Sequence, residues 1–280
     1  MESLENSREQ VLGDFVRIAA EQSLAPVLIG AGARVMACLG TDLDPGRRTT
    51  DWDLAVPVED WEAFAKFVQA LTQGEEAPFR STDLEHRLVH DATDVPIDLI
   101  PFAGVEESPG RITWPKSGRE MNVSGIDLVL EDSEHNELST APVRHASLLS
   151  QAMQKPAAYM DRRGNGITHD VIDFLWLVKK YGEAGNEERV FDEAFDTIDS
   201  HDIDPFAYGA ALLGQDLRKY SAELLAPVRS VLVELCAQES QACRVVVNWR
   251  SPDGGARSFA DIRSLASVAL IGLNSPTPKS

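Results

Sequence analysis

The sequence predicts an α+β protein in which a mixed β-sheet flanked by helices is followed by a helical region. Over the first half of the chain, short apolar segments bounded by Gly, Pro and Asp clusters alternate with helix-periodic segments. From His145 onward the strand-like segments end and helical periodicity takes over. We therefore predict an α/β domain over residues 1–143 and a helical domain over residues 144–280.

Helices and strands alternate in the predicted first domain. Apolar residues recur at helical spacing in REQVLGDFVRIAAEQS and again in VEDWEAFAKFVQALTQ. APVLIG and DWDLAVPV are short apolar strands, and the first is followed by a brief helix, ARVMACLG. HRLVHDATDVPIDLIPF predicts a hairpin with its turn at Asp91 to Asp94. RITWP, MNVSGIDLVL and NELSTAPV are interpreted as shorter strands that close the sheet.

The predicted second domain is helical throughout. HASLLSQAMQKPAAYMDR predicts a helix that is broken or kinked at Pro156, and THDVIDFLWLVKKYG predicts the next one. Weaker helical patterns cover residues 187–199, 205–236 and 258–271, and we expect a disordered tail from about residue 274.

The composition limits the class of protein. The chain is 43% hydrophobic and 25% charged, as in ordinary globular proteins, and its formal charge is -19. A protein this acidic does not coat nucleic acid nonspecifically, because phosphate binding needs a basic surface. The three cysteines form no C-x-x-C pair and do not support a zinc site. The polar start MESLENSREQ is unlike a signal peptide, so we expect a cytoplasmic protein without membrane insertion.

The segment RRTTDWDLAV places Asp51 and Asp53 at the start of an apolar strand. Side chains at i and i+2 of a strand point to one face, so these carboxylates repel each other unless a cation lies between them. A solvent-facing edge strand with an acidic face is one interpretation, and a divalent-metal site is the other. Trp52 points to the opposite face and is expected in the core.

Upstream, LIGAGARV ends a strand in a turn that contains Gly30, Ala31 and Gly32. Glycine lets the backbone approach a ligand closely, and the following helix directs free N–H groups toward it, which suits a phosphate. Glycine turns after strands commonly have no ligand, so this segment indicates a phosphate site only in combination with the acidic residues that follow it.

Downstream, Asp98 stands in the apolar strand VPIDLIPF. An ionised carboxylate there is costly unless it is paired or bound to a metal. An ion pair with an arginine elsewhere is one solution. In the other, Asp51, Asp53 and Asp98 converge and bind two Mg²⁺ ions, which hold a triphosphate and neutralise the leaving pyrophosphate.

The order of these motifs resembles the minimal nucleotidyltransferases of the DNA polymerase β superfamily. Their signature is a small-residue turn, then D-x-D, then a third acidic residue, matched here by Gly30-Ala31, Asp51/Asp53 and Asp98. The resemblance implies a nucleotidyltransferase-type sheet in the first domain. It also implies a helical domain that completes the active-site cleft.

Within that superfamily the chain is most similar to the AbiEii/AbiGii abortive-infection toxin family, over about residues 25–182. Arg and then Ser or Thr precede D-x-D in that family, as Arg47 and Thr49 do here. Its helical part carries a Lys, an Arg and a basic–Asp pair with a second Asp one turn later. The matching residues are Lys155, Arg162 or Arg163, His169-Asp170 and Asp173. Two positions depart from the family: the turn is G-A-G-A where Gly-Gly and then Ser or Thr is preferred, and His169 replaces a lysine, so its charge depends on pH.

The basic residues of the helical domain also allow a simpler interpretation. Lys155, Arg162 and Arg163 are either solvated helix residues or ligands of a triphosphate, which arginine binds bidentately and lysine as a point charge. Asp170 and Asp173 are three residues apart and share a helix face. We expect a structural role for Asp173, and for Asp170 a role in orienting a cation or activating the acceptor.

The sequence thus predicts a Mg²⁺-dependent nucleotidyltransferase that moves a nucleoside monophosphate from an NTP to an acceptor hydroxyl, with Mn²⁺ as a substitute metal. The metal ligands are Asp51, Asp53 and Asp98, and Lys155 and Asp170 complete the predicted catalytic set. The residues predicted to contact the nucleotide are Gly30, Ala31, Gly32, Arg47, Thr49, Arg162 and Arg163.

The resemblance implies a toxin or effector enzyme of a toxin–antitoxin or phage-defence system, with a cognate antitoxin or effector as partner. The 3′ end of tRNA is one possible acceptor. A protein, a small-molecule antibiotic or an oligonucleotide signal is the alternative, and the acidic charge favours a cationic or protein acceptor. A catalytically inactive relative that acts as a binding subunit is the remaining hypothesis.

Overall fold

The computed structural model describes residues 2–47, 49–108, 110–136, 143–194, 207–249 and 258–275. They form two compact units, a sheet unit (Met1–Gly40 with Arg48–Ser147) and a helical unit (Thr41–Arg47 with Leu148–Ser280). The loop segment Thr41–Arg47, which precedes the D-x-D strand, therefore groups with the C-terminal helices. The prediction of two consecutive domains, 1–143 and 144–280, did not assign this loop segment to the second one.

The sheet unit contains the mixed sheet flanked by helices that the sequence predicts. Its strands run in the order β3-β4-β5-β2-β1-β9-β8. The pairs β2–β5 and β1–β9 are parallel, and the other pairs of this sheet are antiparallel. The elements of the unit are α1 (Glu2–Glu21), β1 (Val27–Ile29), α2 (Gly30–Ala37), β2 (Trp52–Val58), α3 (Trp61–Thr72), β3 (Phe79–Ser81), β4 (Arg87–His90), β5 (Pro96–Ala103), β6 (Arg111–Thr113), β7 (Glu120–Asn122), α4 (Ile126–Glu131), β8 (Ser133–His135) and β9 (Arg144–Ala146).

Strand β2 lies centrally in the sheet because its side chains are almost all apolar. Trp52, Leu54 and Val56 alternate with their neighbours along the strand and are buried. Helices α1 and α3 add aromatic side chains to the same core, where Phe15 meets Phe67 edge-on with 5.6 Å between ring centroids. The predicted hairpin is present as well, with β4 and β5 antiparallel around the turn after His90.

The end of the sheet unit differs from the prediction. Strands β6 and β7 pair only with each other and form a separate two-stranded sheet. The apolar run IDLVL, predicted as strand, is helix α4, which begins after Gly125 in a left-handed conformation with φ of 75°. A short apolar run fits a strand and a buried helix equally well, so periodicity could not separate them. Much of the predicted strand NELSTAPV lies outside the described residues.

The helical unit contains α5 (Leu148–Arg162), α6 (His169–Lys180), α7 (Glu187–Arg189), α8 (Tyr208–Leu217), α9 (Ala222–Leu235), α10 (Gln241–Asn248) and α11 (Phe259–Asn274). Helix α5 continues through Pro156, so it is not broken there, and the alternative of a kink at Pro156 stays a prediction. The helical pattern predicted over 205–236 contains two helices, α8 and α9, because Ser221 caps a new N-terminus by accepting a hydrogen bond from the Leu224 N–H. Helix α10 was not predicted. Residues 276–280 of the predicted disordered tail lie outside the described residues.

Among the described residues, no helix combines the length and the apolar character needed to span a bilayer.

Helices α8 and α11 approach each other so closely that only glycine fits at the contact. A Cβ at Gly272 would lie 2.0 Å from the backbone oxygen of Ala211, and one at Gly214 would lie 2.2 Å from that of Ala269. Backbone atoms cannot move aside as a flexible side chain can, so the two helices depend on these glycines for their separation.

We expect Gly272→Ala to lower the free energy of unfolding by about 1–3 kcal/mol, the usual cost of overpacking a core, despite alanine's higher helix propensity. Gly164→Ala is the matched control in the same unit, since a Cβ there meets nothing within 4 Å. Urea denaturation of both variants measures the difference. Equal midpoints for the two would show that the helices do not pack at this distance.

Candidate active site

Strand pairing brings the acidic residues of the sheet unit into one row. The parallel register of β2 and β5 sets Asp53 opposite Asp98, and the antiparallel register of β4 and β5 sets Arg87 opposite Asp98. On the other side, β1 sets Ile29 opposite Asp53. Residues opposite each other in a sheet point to the same face, so Asp53, Asp98 and Arg87 share a face, and Asp51 joins them from the residue before β2.

Arg87 is the cation of this row. Its guanidinium forms a two-pronged contact with Asp98, from Nε to Oδ1 at 2.7 Å and from Nη2 to Oδ2 at 2.7 Å. The same Nη2 atom donates to Asp51 Oδ2 at 2.9 Å. The hydrogen bonds to Asp98 and the nearby charges of Asp98, Asp51 and Asp53 raise the pKa of Arg87 above its ordinary value. The structure therefore shows the arginine ion pair that the sequence left open for Asp98.

Sequence reasoning missed Arg87, although the predicted hairpin contained a signal for it. With the turn at Asp91 to Asp94, His90 faces Val95, as the hydrogen bond from the His90 N–H to the Val95 oxygen shows. Counting three residues back along one strand and three forward along the other sets Arg87 opposite Asp98. An acid in an apolar strand and a basic residue opposite it in the same register indicate an ion pair.

Asp51 is held in place by its neighbours. The Thr49 hydroxyl donates to Asp51 Oδ1 at 2.7 Å, and Arg8 from α1 donates to the Thr49 backbone oxygen at 3.0 Å. The Arg8 guanidinium also stacks over the Trp52 ring, 4.3 Å from its centroid. Thr49, predicted to contact the nucleotide, thus has an observed role in orienting a carboxylate, and its contact with nucleotide stays a prediction.

The glycines that the sequence predicts as a turn lie in the first turn of helix α2 and make room for this row. Gly30 has a φ of 66°, and a Cβ there would lie 2.4 Å from Asp53 Oδ2. A Cβ at Gly32 would lie 2.5 Å from the Trp52 ring. The turn therefore permits close approach of the β2 side chains, on top of its predicted role in seating phosphate through Gly30, Ala31 and Gly32.

A second charged cluster lies inside the helical unit, in the interior rather than in solvent. Lys155 Nζ donates to Asp170 Oδ1 at 3.1 Å and to Asp173 Oδ2 at 2.9 Å, and both carboxylates are buried. Arg162 Nη2 donates to Asp170 Oδ2 at 2.7 Å, and Arg47 Nη2 to Asp173 Oδ2 at 3.4 Å. The cluster thus joins three cations to two acids. Lys155 is not the solvated helix residue of the simpler interpretation.

Two further basic residues of this segment behave differently. Arg163 lies outside the cluster and donates to Glu234 Oε1 at 2.6 Å. His169 Nε2 lies 3.9 Å from Asp170 Oδ2, but burial, together with the positive charges of Arg47 and Lys155, lowers the pKa of His169. His169 is therefore neutral near pH 7 and does not replace the lysine of the resembling family as a cation. Contacts of this cluster with a nucleotide stay a prediction.

The carboxylates of the sheet unit suit a divalent cation in their chemistry. Mg²⁺ prefers carboxylate oxygens, and the Nη2 position of Arg87 is one from which a cation reaches both Asp51 and Asp98. As the described side chains stand, no three acidic, His or Cys residues lie close enough together to hold a metal ion. Asp51, Asp53 and Asp98 as ligands of a metal ion stay a prediction.

No protein-family model and no curated protein matches the sequence. Among solved structures, the chain is similar to the antibiotic-resistance factor ANT(2'')-Ia, at 14% identity and a TM-score of 0.39 over 69% of this chain and 95% of that one. It is also similar to JHP933 from Helicobacter pylori, at 14% identity and a TM-score of 0.37 over 98% and 93% of the two chains. The cyclic dinucleotide synthase CdnE from Elizabethkingia meningoseptica follows at 10% identity and a TM-score of 0.29, over 95% and 92%. At identities and TM-scores this low, the likeness does not determine the chemistry, which depends on this chain's own residues.

We expect Lys155→Ala to destabilise the protein by about 3–5 kcal/mol, because it leaves two buried carboxylates with less positive charge. Chemical denaturation followed by circular dichroism measures the loss. Lys66→Ala is the control, since Lys66 makes an exposed ion pair with Glu62 at 2.8 Å and its removal should change the midpoint little. If both variants unfold at the wild-type denaturant concentration, the buried pairs of Lys155 are not formed.

We expect His169 to make the free energy of unfolding fall as the solution becomes acidic. The folded pKa of His169 lies below the ordinary value of 6.5, so between the two values the unfolded chain binds the proton and the folded protein does not. The stabilising contribution is complete above about pH 6.5 and is lost as the pH falls below it. Urea titrations from about pH 7 to about pH 5 should show a shallower decline for His169→Gln than for wild type. Identical slopes would contradict a lowered pKa.

Proposed function

We propose that this protein is a divalent-metal-dependent nucleotidyltransferase that moves a nucleoside monophosphate from an NTP to an acceptor hydroxyl. The convergence of Asp51 and Asp98 carries the proposal, since one oxygen of each accepts from the same nitrogen of Arg87. Asp53 stands opposite Asp98 in the parallel register. Acidic side chains held this close need positive charge among them, and a metal–triphosphate complex supplies it during the reaction.

Each residue of the row has a role in this chemistry. Mg²⁺ bound at such carboxylates polarises phosphoryl oxygens and lowers the pKa of an acceptor hydroxyl. Asp51 and Asp53 are the residues that we propose to hold it, and Thr49 keeps Asp51 oriented through the 2.7 Å hydrogen bond. Asp98, on the neighbouring strand, favours loss of the acceptor proton. Gly30 supports the arrangement because any larger residue would meet the Asp53 carboxylate.

For the acceptor and the biological role we propose a toxin or effector enzyme that modifies RNA, with the tRNA 3′ end as a candidate acceptor and a cognate antitoxin or effector as partner. The motif resemblance supports this role. The formal charge of -19 supports a second class of acceptor, a protein or a cationic small molecule such as an aminoglycoside, because the chain repels polyanions.

The alternative of a catalytically inactive binding subunit gains one specific argument from Arg87. Acids that are neutralised by an arginine, as Asp51 and Asp98 are, can persist as part of a stable fold without any catalysis. Three acidic residues on one sheet face then indicate an ion-pair network rather than a reaction centre.

We expect Mg²⁺ and an NTP together to raise the melting temperature, since binding at a hundredfold excess over Kd adds about 2.7 kcal/mol to the free energy of unfolding. The double variant Asp51→Asn/Asp53→Asn should abolish the Mg²⁺-dependent part of this rise. Asp91→Asn/Asp94→Asn is the matched control, because these two acids of the β4–β5 turn form exposed ion pairs with Arg80 in the same unit. Incubation with each α-labelled NTP and total RNA or total protein then identifies the acceptor. A shift that survives in the Asp51/Asp53 variant, with no labelled product, would favour the inactive subunit.

A further inference from the structure

Arg87 has a geometry that no function assigned so far uses. One atom, Nη2, reaches the Asp51 and Asp98 carboxylates together, at 2.9 and 2.7 Å. The Nε–Asp98 bond at 2.7 Å completes a fork that fills both oxygens of that carboxylate. The guanidinium thus has the contacts that a bound cation would have, and it is covalently part of the chain.

We propose that Arg87 is a resident counter-ion that competes with divalent metal for Asp51 and Asp98, so that metal loads only when the guanidinium releases both carboxylates. The inference rests on the proposed function, and it adds a regulatory step to it. In the metal-free protein Arg87 offsets the repulsion among the acids. When a metal ion binds, it and the Arg87 guanidinium cannot both contact the same carboxylate oxygens of Asp51 and Asp98.

The surroundings of Arg87 allow this exchange. Its side chain keeps 32% of its surface exposed, and those of Asp51 and Asp98 keep 26% and 14%, so solvent reaches the pair that must open. Arg87 is also a surface-facing residue of the short strand β4, next to β5 and away from the buried core. A long side chain with a partly exposed head can turn outward without moving the strand.

The exchange links metal binding to nucleotide binding. A released guanidinium is a bidentate phosphate ligand by its chemistry, so a triphosphate gives Arg87 a new partner when the carboxylates are taken by metal. Metal alone has to break three charge-assisted hydrogen bonds without that compensation. Metal and NTP should therefore raise each other's affinity, and by linkage the effect is reciprocal.

Mn²⁺ binding to the nucleotide-free protein, followed by the electron paramagnetic resonance signal of free Mn²⁺, tests the competition directly. Arg87→Gln should bind Mn²⁺ at least about tenfold more tightly than wild type, which is about 1.4 kcal/mol. Arg80→Gln is the matched control, because it removes the same charge from the neighbouring strand β3, where Arg80 pairs with Asp91 and Asp94 of the β4–β5 turn. Its Mn²⁺ affinity should equal that of wild type.

A second experiment measures the coupling between Mn²⁺ binding and nucleotide binding. A non-hydrolysable NTP analogue should raise the Mn²⁺ affinity of wild type more than that of Arg87→Gln, because only wild type has a guanidinium to relocate. Should Arg87→Gln fail to fold, Arg87→Lys replaces it. A single ammonium cannot form the fork, so its Mn²⁺ affinity should still exceed that of wild type.

Each result decides the matter. Mn²⁺ affinity in the Arg87 variants that is equal to or weaker than wild type, while wild type binds Mn²⁺ through Asp51, overturns the inference and leaves the proposed function standing. Binding that Asp51→Asn does not weaken in wild type or in the Arg87 variants overturns both. Equal tightening in Arg87→Gln and Arg80→Gln also overturns the inference, because net charge would then explain it.

Discussion

The sheet unit depends on the parallel pairing of β2 with β5, which sets acidic side chains side by side on one face. That register follows from apolar packing, since most of the remaining side chains of the two strands are buried in the core. Repulsion between Asp53 and Asp98 is therefore the cost of a favourable core, and a cation is needed to offset it. The hairpin partner of β5 provides one, because Arg87 lies opposite Asp98.

The helical unit also neutralises closely spaced carboxylates with basic side chains. Asp170 and Asp173 are buried on one face of α6, where an unpaired carboxylate would be strongly destabilising. Lys155 bridges the two acids, and Arg162 and Arg47 each add a second partner to one of them. Buried ion pairs add little stability over apolar packing, so such a cluster is better explained by the chemistry or specificity of the unit than by stability alone.

The two charged sites place different limits on function. In the sheet unit, Arg87 pairs with Asp51 and with Asp98, and all three side chains are partly exposed to solvent. In the cluster of the helical unit, Asp170 and Asp173 are buried and each pairs with Lys155 and with one arginine.

The sequence by itself determined the local elements and the types of residue in the site. Alternation and helical spacing predicted β2, the β4–β5 hairpin, α5 and α6, because burial of one face imposes those periods. The short helices α4 and α10 were not predicted from these periods, since a few apolar residues fit either a strand or a helix. Only the tertiary structure decided which charges meet across distant parts of the chain. Arg87 reaches Asp51 across 36 residues of chain, and Arg47 reaches Asp173 across 126, and no local period carries information over such distances. Those pairings follow from strand order and helix packing, which depend on the whole core at once.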